Sequence, residues 1–252
     1  MADEYDAGRP SYPDGLCDAL GDLVGRRVLD VGAGTGIATR QLLARGAMVT
    51  AVDVGPEVLA RAASRTAGLR ALVADGTVLP VRDATVDLVT FAQSWHWLDP
   101  MTGLPEAHRV LVPGGRLAAW WSQARADDED WFGDYWAILE ANCPGVRLLQ
   151  RDVDWGASLA QGPWFDVHDP VSVPWIREVS VDAWMVDQAS HSYIADLPAP
   201  ERAAVLDELR CVLATRFPGD GTLSVRYETE LWLADRVDGS LGSAAMPSIS
   251  TS

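Results

Sequence analysis

The chain has 252 residues, 48% of them hydrophobic, which is room for one α/β domain with a real core and a modest cap. Its formal charge is −16, and all 20 basic residues are Arg. That balance argues against duplex nucleic acid and anionic membranes as partners, because phosphate binding needs a basic surface. The absence of Lys removes Schiff-base, pyridoxal phosphate and P-loop lysine chemistry. Cys17, Cys143 and Cys211 are isolated and the four His are scattered, so packing thiols, a reducing compartment and no metal site are expected. With no leader-like N-terminus and no apolar run near ~20 residues, the expected location is cytoplasmic.

Residues 1 to 12 are polar, and a helix is expected from Asp14 to Val24. Val28 to Val31 read as the end of a buried strand, Gly32 to Gly34 as a tight turn, and Ile37, Leu42 and Leu43 as a helical stripe. Strand, glycine turn and helix in that order bring bare backbone to a ligand at a helix N-terminus. The dinucleotide fingerprint would need Gly where this chain has Ile37. A second apolar run, Ala47 to Val52, ends in Asp53, whose carboxylate can accept both hydroxyls of a ribose. A fourth strand is expected at Thr85 to Ala92 and a fifth at Leu117 to Trp121. Residues 122 to 165 are acidic and carry Trp131, Trp136, Trp155 and Trp164. Val171 to Val179 reads as a strand, Val181 to Phe217 as two helical stretches broken near Leu197 to Pro200, and Leu223 to Leu233 as the last strand. The tail from 238 to 252 lacks bulky residues and is expected to be disordered.

The run Asp30-Val-Gly-Ala-Gly-Thr-Gly36 resembles motif I of the class I S-adenosylmethionine (SAM)-dependent methyltransferases. Leu72-Val-Ala-Asp75-Gly76 resembles the family's third-strand segment, and Glu106 to Leu117 its helix, Pro-Gly-Gly turn and fifth strand. Tyr5 to Pro13 resembles the lead-in of the ubiquinone-type and trans-aconitate-type small-molecule enzymes. The resemblance covers roughly residues 25 to 122. It implies a Rossmann-like seven-stranded mixed sheet with helices on both faces, the last strand antiparallel, and a small cap. Residues 1–237 would form one domain, with 1–24 folding over the cofactor and 122–165 lying over the strand ends as a lid. For the cofactor, SAM, it implies Asp30 facing the methionine amino group, with Gly32, Ala33 and Gly34 as the turn beneath it. Asp53 and Val54 would lie at the ribose, Asp75 and Gly76 at the adenine and Gln93 beside the methionine. Tyr5 and Arg9 would lie near the SAM carboxylate or the substrate.

In an open α/β sheet the ligand lies beyond the carboxyl ends of the strands at the switch point, here Gln93-Ser-Trp-His-Trp97. His96 is the leading general base, with His191 and Tyr193 of the polar cluster Ser190 to Tyr193 as further candidates. Trp95 or Trp97 is expected as a pocket wall, with Trp121 nearby, while His108 and His168 read as packing or loop residues. Such walls suit a small aromatic or apolar metabolite, as in natural-product tailoring. A carboxylate substrate would instead call on Arg9 or Arg125. The expected protein is a monomer or homodimer with a small-molecule partner. A SAM-binding relative that catalyses a cyclisation without methyl transfer keeps the same motifs and is the alternative. A nicotinamide oxidoreductase is disfavoured by Ile37, and an inactive scaffold by the intact Asp30, Gly32, Gly34, Asp53 and Asp75.

Overall fold

The computed structural model describes residues 11–147, 153–218 and 221–238. The expected tail at 238–252 therefore lies outside the described residues except for Asp238, as do Tyr5 and Arg9. The first half alternates strand and helix: α1 (Asp14–Leu20), β1 (Arg27–Val31), α2 (Ile37–Ala44), β2 (Met48–Asp53), α3 (Pro56–Arg65), β3 (Arg70–Val73) and β4 (Val86–Ala92). A 3-10 turn at Trp95–Trp97 leads to α4 (Pro100–Val110) and the long β5 (Leu111–Ala124). The second half holds α5 (Asp130–Asn142), α6 (Trp155–Leu159), β6 (Phe165–Val167), β7 (Val171–Ser180), α7 (Val181–Ala189), α8 (Ser192–Ala195), α9 (Ala199–Arg216) and β8 (Thr222–Arg236). Helix α1 stops at Leu20 rather than Val24 because Gly21 follows at φ 85°, a left-handed conformation that ends the helix.

The strand order is β3-β2-β1-β4-β5-β8-β6, with β7 also on β8. β1 to β5 pair in parallel, and β8 runs antiparallel to β5 from Arg116↔Asp235 to Ala124↔Tyr227. A parallel strand covered on both faces must be apolar throughout. Accordingly Val28 packs with α1 and α2 on one face, and Leu29 packs with α4 on the other.

The sheet has eight strands, one more than expected. The edge beside β8 is broken in two: Val167 pairs with Ala234, and Val171 with Leu231, so the edge chain takes one residue more than β8 between them. Pro170 lies in that gap and has no N–H to give to the ladder. The lid segment is likewise divided. Residues 122–124 belong to β5, and Phe165 begins β6. Between them α5 packs with α7, α9 and the N-terminal half of β8 in an aromatic-rich core of its own.

An ion pair lies within that second core. Arg177 of β7 and Asp187 of α7 meet at 2.6 Å with side chains only 7% and 5% exposed, and Arg177 also donates to the Tyr227 hydroxyl at 3.1 Å. Removing one partner leaves an uncompensated buried charge. Asp187→Ala should therefore lower stability by about 3–5 kcal/mol in urea unfolding, while the double change Arg177→Met/Asp187→Leu should cost far less. A loss under about 1 kcal/mol for Asp187→Ala would show that water reaches the guanidinium.

Candidate active site

The chain leaves β1 for β2 and β3 on one side, then returns through β4 and β5 on the other, so the topological switch lies between β1 and β4. A cleft of about 1260 Å³ opens at the carboxyl ends of these strands. Its lining follows the strand order. Asp53 comes from β2, Gly32 to Thr35 from the turn after β1, Gln93, Ser94 and His96 to Leu98 from the loop after β4, Trp121 to Ala124 from β5 and Tyr227 from β8.

The turn after β1 is shaped by what it touches. Gly32 and Gly34 adopt φ 72° and 55°, where a side chain is strained. A Cβ on Gly32 would also stand 2.3 Å from Ser94 Cβ, whereas one on Gly34 would meet no atom within 4 Å. Ser94 donates from Oγ to the Val31 carbonyl at 2.5 Å, tying the loop after β4 to the end of β1. Asp53 accepts from Gly34 N–H at 2.9 Å and from Gly55 N–H at 2.8 Å, one bond to each oxygen. Its carboxylate is therefore oriented before any ligand arrives. Asp75 accepts from the backbone and hydroxyl of Thr77, and that amide holds its pKa below the usual carboxylate range. Val54, 67% exposed, and Leu98 add apolar surface, and Gly76 is pressed between Leu98 and Val31.

Asp30 is placed otherwise than its motif role implies. It is fully buried behind the turn, outside the lining of the cleft, and accepts from Thr39 Oγ1 at 2.5 Å and Thr90 Oγ1 at 2.9 Å. Burial raises its pKa, and the Asp53 charge adds to the rise while the two threonines oppose it. The folded state thus holds this proton more tightly than the unfolded chain. The Asp30 contribution to stability is present at low pH and is lost as pH rises through the folded pKa.

The two tryptophans of the Trp-His-Trp turn part company. Trp95 is 1% exposed, packs edge-on to Phe91 and donates from Nε1 to Ser158 Oγ at 2.8 Å, so it belongs to the core and is not a pocket wall. Trp97, 71% exposed, and His96 line the cleft with ring centroids 4.8 Å apart. Trp121 lines it too and donates from Nε1 to His96 Nδ1 at 3.2 Å. His96 is exposed to the cleft, and desolvation by the protein around it lowers its pKa from the ordinary value.

Beyond Trp121, α5, α7 and α8 close one end with Phe132, Tyr135, Trp136, Trp184, Gln188, His191 and Tyr193. His191 and Tyr193 stack at 5.2 Å. The Tyr135 hydroxyl and Trp184 indole nitrogen approach one another without reaching hydrogen-bond geometry, and burial raises the Tyr135 pKa well above its ordinary value. Sequence reading named His191 and Tyr193 of this end and noted Trp136 in the lid segment, but missed Phe132, Tyr135, Trp184 and Gln188, because the residues come from segments far apart in the chain. It also missed Tyr12, which exchanges two backbone bonds with the Gln41 side chain and whose hydroxyl lies 3.5 Å from Gln93 Nε2. Arg125 pairs with Glu228 and does not line the cleft.

Residues 29–119 match a family model described as a methyltransferase domain. An uncharacterized methyltransferase of Mycobacterium tuberculosis is 37% identical over 211 residues, 84% of this chain and 83% of the relative. The chain belongs to the class I SAM-dependent methyltransferase family. In fold it is similar to a candidate type II methyltransferase from Anaeromyxobacter dehalogenans, with a TM-score of 0.64 and 23% identity over 90% of this chain and 97% of that one. It also resembles geranyl diphosphate C-methyltransferase from Streptomyces coelicolor, solved with S-adenosylhomocysteine, with a TM-score of 0.51 and 17% identity over 89% and 79% of the two chains. SAM is the cofactor of this methyltransferase. The chain's own residues fit it: an oriented carboxylate at Asp53, an open glycine at Gly34 and apolar surface at Val54 and Leu98.

Asp53→Ala removes a carboxylate oriented for a two-point contact, worth roughly 1.5–3 kcal/mol. Calorimetry with SAM should show affinity at least about tenfold weaker in a folded variant; unchanged affinity would remove the ribose assignment. Gly32→Ala should destabilise the apoprotein itself, because the new methyl meets Ser94 and the φ is left-handed.

Proposed function

We propose that this methyltransferase transfers the SAM methyl group to a small aromatic or apolar metabolite, as in natural-product tailoring. The observation that carries the reading is the continuity of the cleft. Glycine turn and carboxylate stand at one end, an aromatic wall at the other, and His96 and Trp121 lie where the strand order puts the middle. In this reading Asp53 and Asp75 hold the nucleoside, and Gln93 and the turn after β1 hold the methionine part. Tyr193, His191, Trp97 and Trp121 face the acceptor. The α5 helix supports the lid reading of 122–165, since Phe132, Tyr135 and Trp136 all turn toward the cleft.

When bound, SAM supplies an electrophilic methyl carbon on a sulfonium. The chain must hold the acceptor atom about 3 Å from that carbon, in line with the bond that breaks, and keep water out. Asp53 lines the cleft at the turn, while Asp30 lies buried behind it. In this reading His96, which lines the middle of the cleft, stands against the acceptor. Desolvation lowers the His96 pKa, which favours the neutral ring.

Incubation with methyl-labelled SAM and a panel of phenols, enols and apolar metabolites should yield S-adenosylhomocysteine and labelled product in equal amounts. Product without S-adenosylhomocysteine would favour a non-methylating cyclisation instead. His96→Ala should slow transfer by about a hundredfold while leaving SAM affinity within a few-fold. Collapse of SAM affinity in that variant would make His96 a cofactor contact.

A further inference from the structure

The bond between Trp121 and His96 fixes more than a ring position. An indole nitrogen carries a hydrogen and has no lone pair to offer. At 3.2 Å it can only donate, so Nδ1 of His96 must be the acceptor and hold its lone pair. A neutral imidazole has one proton, which then sits on Nε2. The indole is fixed in place. Trp121 is 5% exposed in a core cluster, on a strand paired with both β4 and β8. The turn that carries His96 is anchored by buried Trp95 through Ser158 and by Ser94 through Val31.

We infer that Trp121 is a positioning residue that holds His96 as the Nε2–H tautomer, so that His96 meets the acceptor as a hydrogen-bond donor to oxygen and not as its base. This rests on the proposed methyl-transfer reading and names the acceptor class: a phenol or enol that ionises before transfer. The proton leaves the acceptor hydroxyl for water, and Nε2–H stabilises the oxyanion left behind. The oxyanion, through its oxygen or the conjugated carbon, supplies the electron pair for the new bond to the methyl carbon. The pair of the breaking carbon–sulfur bond stays on sulfur, so sulfonium and oxyanion both become neutral. His96 ends with the proton it began with. The bare expectation of a histidine base therefore gives way to a donor.

The chromogenic phenol 4-nitrophenol, whose ionised form absorbs in the visible, provides the test with the full chain and S-adenosylhomocysteine. Bound to the parent protein, its apparent pKa should fall by about one unit, roughly a tenfold rise in the ionised fraction at a pH below that value. His96→Gln keeps a donor and can still accept from Trp121, so the shift should survive; His96→Ala and His96→Glu, which cannot donate, should lose it. Nitrogen-15 spectra of the parent should show the Nε2–H tautomer of His96, and Trp121→Phe should mix the two tautomers. Loss of the shift in His96→Gln, or an Nδ1–H tautomer in the parent, would overturn the donor role. Failure of 4-nitrophenol to bind while S-adenosylhomocysteine binds normally would overturn the acceptor class. Failure of S-adenosylhomocysteine itself would strike the cofactor reading instead.

Discussion

The close approach of two loops, after β1 and after β4, is the constraint on which the rest of the site depends. Ser94 Oγ reaches the Val31 carbonyl at 2.5 Å, and only a residue without Cβ fits at position 32 beside it. That single packing demand brings the glycine turn and the loop carrying His96 and Trp97 together at the cleft. Backbone strain accompanies it. Gln93 sits at φ 54°, a conformation costing of order 1 kcal/mol outside glycine, and its amide faces the Tyr12 hydroxyl. The energy for holding Gln93 there comes from burial of Phe91 and Trp95 on either side of it.

Charge in the cleft is arranged in depth. Asp30 lies inside the sheet with two hydroxyl donors, while Asp53 lies at the wall with two amide donors. The desolvation that disfavours ionised Asp30 is a cost the apoprotein carries, and a cationic ligand over the turn would offset it. The same effect acts in the opposite sense on His96, whose protonated form burial disfavours and whose neutral form Trp121 orients. Asp30 and His96 are thus both biased toward their uncharged forms by desolvation.

The second half of the chain turns a cofactor-binding sheet into a two-ended cleft. β8 is long enough to pair with β5 along one edge and with β7 and β6 in succession along the other. Its N-terminal half extends past the end of β5, still paired with β7, and α5, α7 and α9 pack there. The Arg177–Asp187 pair joins β7 to α7, with the guanidinium stacked over Trp184 and Tyr227 at 5.7 and 5.8 Å. Two aromatic walls of the cleft are in this way braced from behind by a buried ion pair.

Periodicity and turn chemistry are local, so the sequence alone determined the βα order, the glycine turn at Gly32 to Gly34 and the carboxylate at the tip of β2. The motif spacing in residues 25 to 122 likewise fixed which family this is, since each matched segment is a short contiguous run. Tertiary structure decided what depends on pairs distant in sequence. Trp95 and Trp97 are two residues apart and look equivalent as letters, yet the 3-10 turn buries one and exposes the other. The aromatic end of the cleft draws on α5, α7, α8 and β8, and the Trp121–His96 bond spans 25 residues. The split edge strand at His168 to Pro170 depends on register against β8, which no local pattern encodes. Sequence could name His96; only the indole opposite Nδ1 could say which nitrogen holds the proton.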